Sequence, residues 1–349
     1  MEHRQRLRVL GGGMEIHGRQ SIRVISSGST SPTQPRQTSA DEAEQALDES
    51  IPMFPPPIFF EGARLNFAEN LLYPAAKIDP DSPAIIAASE TTRETVTWNE
   101  LRDLVKQCQS GMMTLGIRSG DRVAGYCANH TTAVVAMLAA TSIGAVWTAV
   151  SPDTGVHAVL ERIRQIEPVL LFADNASFYN GRSHPVLPKV AEIVSELPSL
   201  QAVVVVPAVS DVKMDLSQIK VEKGKAYNYY AFMSLGMPLP SLTFTQLPPN
   251  HPVYILYSSG TTGAPKCIVH GAGGTLIQHK KEHMLHCSIG LDSRLFYFTT
   301  CKLPTPSRHS FCSNEYRHVD DVALACFWAR IRRDHRLVRR LSIPLCIQR

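Results

Sequence analysis

Short apolar runs that alternate with helix-length stretches constrain this chain more than any other feature. Residues 84–88 and 94–98 read as two strands joined by a polar turn. A helix is expected over 100–115, with Leu101, Leu104, Val105 and Met112 at helical spacing and Asn99 as its N-cap. Gly116, Gly120 and Asp121 mark turns before another strand at 122–127. Residues 132–150 form the longest apolar run and just reach the length of a membrane span. Thr141, Ser142, Gly144 and Thr148 interrupt that run, and Gly144 suits a helix end followed by a strand, so a buried helix–turn–strand is expected. An amphipathic helix over 159–168 leads into a strand at 169–172, and residues 183–206 supply a helix and the strand 202–206. Residues 208–240 read as an irregular, tyrosine-bearing surface insertion. Strands at 253–256 and 267–270 follow, then a helix over 276–286 with Lys280, Lys281 and Glu282 on a solvated face. Alternation of this kind specifies an α/β fold.

Between the last two strands lies Tyr257-Ser258-Ser259-Gly260-Thr261-Thr262-Gly263-Ala264-Pro265-Lys266. Two glycines and four hydroxyl side chains occupy six consecutive positions, 258–263. Such a loop can wrap backbone N–H groups around phosphate oxygens, with Ser and Thr hydroxyls as further donors. Lys266 closes it as a point charge that can pair with a polyphosphate. The alternative is a solvated Ser/Gly turn, but the order of hydroxyls, glycines, proline and lysine is more specific than that. The pattern is not the G-x-x-x-x-G-K-[ST] of the P-loop.

This stretch resembles the phosphate-binding signature of the adenylate-forming superfamily, the acyl-CoA synthetases and their relatives. Further segments extend the likeness from about Asp48: Gly62-Ala63-Arg64-Leu65-Asn66-Phe67-Ala68-Glu69-Asn70-Leu71-Leu72, Thr141-Ser142-Ile143-Gly144-Ala145-Val146-Trp147, and Ser151-Pro152-Asp153-Thr154-Gly155. With His279, Lys281-Glu282-His283 and Leu285-His286-Cys287, they resemble the acetoacetyl-CoA synthetase branch, with the acetyl-CoA synthetases as near relatives. The resemblance implies that ATP, acetoacetate and coenzyme A are substrates, with Mg²⁺ as cofactor. Ser258, Ser259, Gly260, Thr261, Thr262, Gly263 and Lys266 would hold the β- and γ-phosphates of ATP, and Thr262 is the hydroxyl expected near Mg²⁺. Arg182, after Asn180-Gly181, stands where relatives keep a basic residue near the CoA adenine and 3′-phosphate, a solvated surface arginine being the alternative. His270 could contact a nucleotide or acyl group, or be structural. The rival substrates are acetate and other short-chain acids. A non-catalytic fragment with at most weak nucleotide binding is the rival of another class.

Composition narrows the remaining classes. The apolar fraction of 44% is that of a soluble globular protein, and 349 residues allow one large domain or two ordinary ones. Eight cysteines lie scattered without a C-x-x-C pair or a Cys/His metal spacing, and are expected to be reduced thiols of a cytoplasmic protein. Beyond Lys302 there are nine arginines, no lysine and four acids, so residues 1–302 carry about −1 of the whole chain's +4. No basic nucleic-acid face is implied for the body. Residues 1–47 are expected to be a disordered leader, rich in polar residues and including Gly11-Gly12-Gly13. Seven acids in the first 50 residues argue against a mitochondrial presequence.

The likeness stops at Phe298-Thr299-Thr300-Cys301. Relatives continue with Trp-Met-Met-Trp, whereas Lys302-Leu303-Pro304 opens a stretch without family likeness. Codons for residues 319–328 can be chosen so that a one-base shift reads Trp-Met-Met-Trp-His-Trp-Leu-Val-Ser. Residues 337–344, shifted the same way, can read Ser-Tyr-Asp-Gly-Ser-Pro-Phe, another family segment. Codons 301–302 and 316–317 can hide a splice donor and acceptor. The expectation is therefore an AMP-dependent synthetase/ligase N-terminal domain over 48–301, truncated by a retained intron, with 302–349 as an aberrant basic tail. A genuine basic tail that binds acidic partners is the alternative. The adenine-contacting segments, the acidic residue near Mg²⁺ and the small C-terminal domain with its adenylation lysine are expected beyond residue 349.

Overall fold

The computed structural model describes residues 25–26, 46–54, 57–74, 78–90, 92–258, 264–290 and 293–295. Strand β1 (Ile25–Ser26) pairs antiparallel with β2 (Ala63–Arg64). Strand β1 falls within the expected disordered leader, and the other residues of 1–45 lie outside the described ones. Asn66 caps α1 (Phe67–Leu72), and an antiparallel hairpin of β3 (Pro83–Ala88) and β4 (Arg93–Thr97) follows. Helix α2 (Trp98–Thr114) starts earlier than expected because Thr97, not Asn99, is its N-cap. Thr97 and Glu100 each bond the other's backbone N–H, and that reciprocal box outcompetes a single Asn cap.

The alternation then becomes β5 (Arg122–Tyr126), α3 (Thr131–Ile143), β6 (Val146–Val150), α4 (Val156–Ile163) and β7 (Leu170–Asp174). A hairpin of β8 (Ala176–Tyr179) and β9 (Arg182–Pro185) leads to α5 (Leu187–Ser195) and β10 (Ala202–Val206). Next come β11 (Lys225–Asn228), α6 (Tyr229–Met233), β12 (Pro252–Ser258), β13 (Lys266–Gly271) and α7 (Ala272–Lys280). Seven strands form one sheet in the order β11-β10-β7-β5-β6-β12-β13. Every neighbouring pair in it is parallel except β12 with β13.

Both faces of this sheet are covered, which is why its central strands are nearly continuous apolar runs. Val203, Val205 and Leu171 pack with Val159, Ile163, Val190 and Ile193 of α4 and α5. Val204, Leu170 and Phe172, one residue out of phase, pack with Leu101, Val105, Val135 and Leu138 of α2 and α3. Helix α3 is buried at ten of its thirteen residues, so its uniform apolarity is that of a core helix. No helix among the described residues is long and apolar enough to cross a membrane.

The end of α3 is a junction. Gly144 caps it in the left-handed region at φ 89°, and a Cβ there would stand 2.6 Å from Leu247 Cδ1 and 2.8 Å from Ser119 Oγ. Asn66 reaches the same helix end, its amide donating to the carbonyls of Thr141 (3.1 Å), Ser142 (2.9 Å) and Thr245 (2.9 Å). The segment around Asn66 thus ties the start of the domain to α3 and to the approach to β12. Replacing Gly144 with alanine is expected to cost about 1–2 kcal/mol, combining left-handed strain with displacement of two side-chain tips. Gly274, exposed within α7 and with open space at its Cβ, is expected to show the opposite sign, a gain of about 0.5–1 kcal/mol as alanine. Urea unfolding of both variants checks the pair.

Two expectations are corrected. Residues 208–240 are not only a surface insertion. Lys225–Asn228 continue the parallel ladder of β10, and Phe232 of α6 is fully buried, its ring 5.5 Å from that of Phe172. The expected helix over 276–286 is instead α7 followed by a π-helical turn, Lys281–His286. Lys280 does not lie on a solvated face. Burial pushes its ammonium down to about 8 from the usual 10.5.

Candidate functional site

The hydroxyl- and glycine-rich stretch is the connection of the β12–β13 hairpin. Ser258 stands opposite Lys266, and Tyr257 opposite Cys267, so the two ends of the stretch are held against each other by the ladder. Ser259, Gly260, Thr261, Thr262 and Gly263 lie outside the described residues. Ser258 is half-buried and Lys266 exposed. The six parallel strands β11, β10, β7, β5, β6 and β12 have their carboxyl ends at one edge, and the connection leaves from that edge. Strand β12 is fastened to β6 by the buried Thr148 hydroxyl, which donates to the Ile255 carbonyl at 2.9 Å. Beneath it, Val146, Ile166 and Ile255 form a small core cluster on which Tyr257 and Cys267 rest.

His270 lies on the same strand as Lys266, four residues and therefore about 13 Å further along. It pairs in register with Tyr254, and the two rings are 5.0 Å apart. The structure therefore does not bring His270 to the ends of the loop.

Arg182 opens β9 and is exposed. The turn before it has Asn180 at φ 51° and Gly181 at φ 72°, and their backbone N–H groups donate to the two oxygens of Glu90, 2.9 Å each. A carboxylate from the β3–β4 turn thus sits in a small anion-binding nest beside Arg182. The β8–β9 hairpin leaves from the end of β7, which lies three strand positions, about 14 Å, from β12 in the sheet. Both occupy the carboxyl edge of the sheet, as separate points on it.

The strand order reverses between β5 and β7, because β6 lies on one side of β5 and β7 on the other. Crevices at such a point are where α/β sheets bind ligands. Here the fully buried Asp174, at the end of β7, accepts from Ala128 N (2.8 Å) and from His130 Nε2 (2.9 Å). His130 Nδ1 in turn accepts from Ala133 N at 3.3 Å, which makes Nε2 the protonated nitrogen. A cavity of about 340 Å³ opens beside this pair, lined by Glu94, Leu104, His130, Val135, Tyr229 and Tyr230 among others. Its lining contains one carboxylate and no lysine or arginine, and no described residue of the β12–β13 connection. A triphosphate does not suit it.

Sequence reasoning singled out neither Asp174 nor Glu90. Asp174 had a usable signal, a carboxylate that ends an otherwise apolar strand. Glu90 had none, since its partners are backbone groups 90 residues away.

Comparison with known proteins agrees with this geometry. The family described as AMP-binding enzyme matches residues 72–301, from the end of α1 through both stems of the loop. Malonamoyl-CoA synthetase vrtB of Penicillium aethiopicum is 54% identical over 261 residues, covering 74% of this chain and 36% of that protein. Acetoacetyl-CoA synthetase of Danio rerio is 48% identical over 260 residues, covering 74% of this chain and 38% of its own length. The solved acetoacetyl-CoA synthetase from Streptomyces lividans superposes with a TM-score of 0.64 at 40% identity, over 71% of this chain and 36% of that one. The chain thus spans little more than a third of the length of the relatives it matches. With a doubly covered parallel sheet, the hydroxyl–glycine connection at its carboxyl edge, and a family match over 72–301, this chain belongs to the AMP-binding enzyme family.

Proposed function

We propose that this chain is part of an acid–thiol ligase that activates acetoacetate with ATP and passes it to coenzyme A. In the first step the substrate carboxylate attacks the α-phosphorus of ATP, giving acetoacetyl-adenylate and releasing diphosphate. In the second, the CoA thiol attacks the acyl carbon and AMP leaves. The observation that carries this reading is the opposition of Ser258 and Lys266 at the carboxyl edge of the sheet. It sets the two ends of one hydroxyl-rich loop where a polyphosphate could be gripped from both sides.

In this reading Ser258, Ser259, Gly260, Thr261, Thr262, Gly263 and Lys266 hold the β- and γ-phosphates. Among the described residues no group of three or more His, Cys, Asp or Glu could hold a metal ion. Mg²⁺ keeps several waters and binds through phosphates plus one or two protein oxygens, so it fits as a passenger of the nucleotide with Thr262 as its hydroxyl. When bound it would neutralise phosphate charge. Arg182 is proposed for the CoA 3′-phosphate. A contact of His270 with substrate stays outside the proposal, because its ring is packed on Tyr254. A cytoplasmic setting belongs to this reading, which leaves the scattered cysteines as thiols.

A second acyl substrate has a specific observation in its favour, since the relative at 54% identity is named a malonamoyl-CoA synthetase. Malonamate and acetoacetate have the same skeleton and differ by an amide nitrogen for a methyl group. A pocket offering a polar partner selects the first, and an apolar one the second. Rates with acetoacetate, malonamate and acetate, measured on enzyme with the family frame continued past residue 301, separate them. For the loop itself, titration of the chain with MgATP is the test. Lys266→Ala is expected to weaken binding about tenfold or more, the worth of a charge-assisted contact. Equal affinity would remove Lys266 from the site.

A further inference from the structure

We propose that Gln165 is the positioning residue of the phosphate loop, holding the Pro265–Lys266 end of the β12–β13 connection in place. The inference rests on the loop being a phosphate site, as proposed above. Gln165 lies in the single 3₁₀ turn Arg164–Ile166 that follows α4, a hundred residues from the loop in sequence. Its amide nitrogen donates to the Pro265 carbonyl at 2.8 Å and to the Glu161 carbonyl at 2.6 Å. Its amide oxygen faces Cys267 Sγ at 3.5 Å. One side chain therefore touches the residues on both sides of Lys266.

Pro265 makes this contact matter. Proline has no N–H, so its carbonyl is its one backbone hydrogen-bonding group, and that carbonyl is the one Gln165 binds. Pro265 is buried while Ala264 and Lys266 on either side are exposed. The hairpin ladder reaches Ser258 opposite Lys266, so beyond that pair Gln165 takes over from the sheet as the stem's anchor. The anchor is itself fixed. Ile166 is buried against Val146 and Ile255, and Glu167 turns the chain in the left-handed region at φ 48° directly after it. Lys266 carries the charge proposed to meet the nucleotide, and its backbone is clamped by the ladder on one side and by Gln165 on the other.

The test uses the full chain with Gln165→Met, which keeps the side-chain length and removes the amide, and Gln165→Lys, which restores a donor. Hydrogen exchange of peptides containing Ala264–Cys267, MgATP affinity and the thermal midpoint are read together. Gln165→Met is expected to exchange several-fold faster there and to bind MgATP about three- to tenfold more weakly, the range of one neutral hydrogen bond. Its midpoint should stay within about 1 °C, as befits a substitution at an exposed side chain, and Gln165→Lys should recover the exchange protection. Unchanged exchange in Gln165→Met overturns the proposal. So does a weakened affinity that only follows a fallen midpoint, which would make Gln165 a general brace. If the unmutated chain binds no MgATP, the phosphate-loop reading fails, and the exchange comparison still decides whether Gln165 holds the stem.

Discussion

Acetoacetate-dependent ATP–diphosphate exchange is expected to be undetectable for the polypeptide of residues 1–349, and to appear once codons 301–317 are spliced out and the frame restored. Adenylation requires the carboxylate in line with the α-phosphorus, and in the proposed reading the loop grips only the β- and γ-phosphates. Orientation of bound reactants accounts for about 7–11 kcal/mol of a typical barrier, so losing the groups that align the carboxylate should cost five orders of magnitude or more. We propose that residues 302–349 cannot supply those groups. The family match ends at Cys301, the stretch beyond Lys302 carries nine arginines and no lysine, and two of its segments can be recoded into family segments in one shifted frame and in family order. Exchange only by the restored polypeptide supports both the ligase reading and the intron reading. Exchange by residues 1–349 alone would mean that this part holds more of the active site than the family resemblance implies. No exchange by either would remove the ligase reading. The transcript gives an independent answer, because a mature message that retains codons 301–317 as its main species would make the basic tail genuine.

The sheet was legible in the sequence because its signals are long and redundant. Each central strand is an apolar run of five or so residues, the helices beside them are helix-length stretches that are amphipathic or, in α3, apolar throughout, and Gly144 marks the one sharp reversal inside the 132–150 run. Element ends were less legible where two caps compete. Thr97 and Asn99 are both good N-caps, and only the Glu three residues after Thr97 decides between them. Strand β11 and helix α6 escaped because four and five residues are too short to show a period. What establishes them is the free edge of β10 and the contact of Phe232 with Phe172. The site divides along the same line. The residues proposed to bear its chemistry are consecutive in the chain and could be named from it. The residues that place them, Gln165 on Pro265 and Thr148 on Ile255, act across about a hundred positions through backbone carbonyls that have no sequence signature.

Lys280 shows how a charge read as surface can be half-buried instead, and it carries the largest stability change expected here. Its position in α7, two residues after the exposed Gln278 and beside Lys281, looks solvated on a helical wheel. Instead burial alone, with no ion pair to a described residue, lowers its pKa to about 8 from 10.5. The unfolded chain therefore binds one more proton than the folded chain between pH 8 and 10.5, and stability rises with pH across that window. Below pH 8 the full penalty for a buried ammonium is present, up to about 3 kcal/mol for a shift of this size. Lys280→Met keeps the aliphatic stem and removes the charge. The variant is expected to be more stable than the unmutated chain by about 2–3 kcal/mol at pH 7. That advantage should shrink steadily above pH 8 and vanish near pH 10.5. Urea unfolding of both chains at pH 7, 9 and 10.5 measures the difference directly. A constant advantage at all three would assign the gain to methionine packing rather than to the proton. No advantage at pH 7 would mean that the ammonium reaches water along its stem, and that the helical wheel had described this face correctly after all.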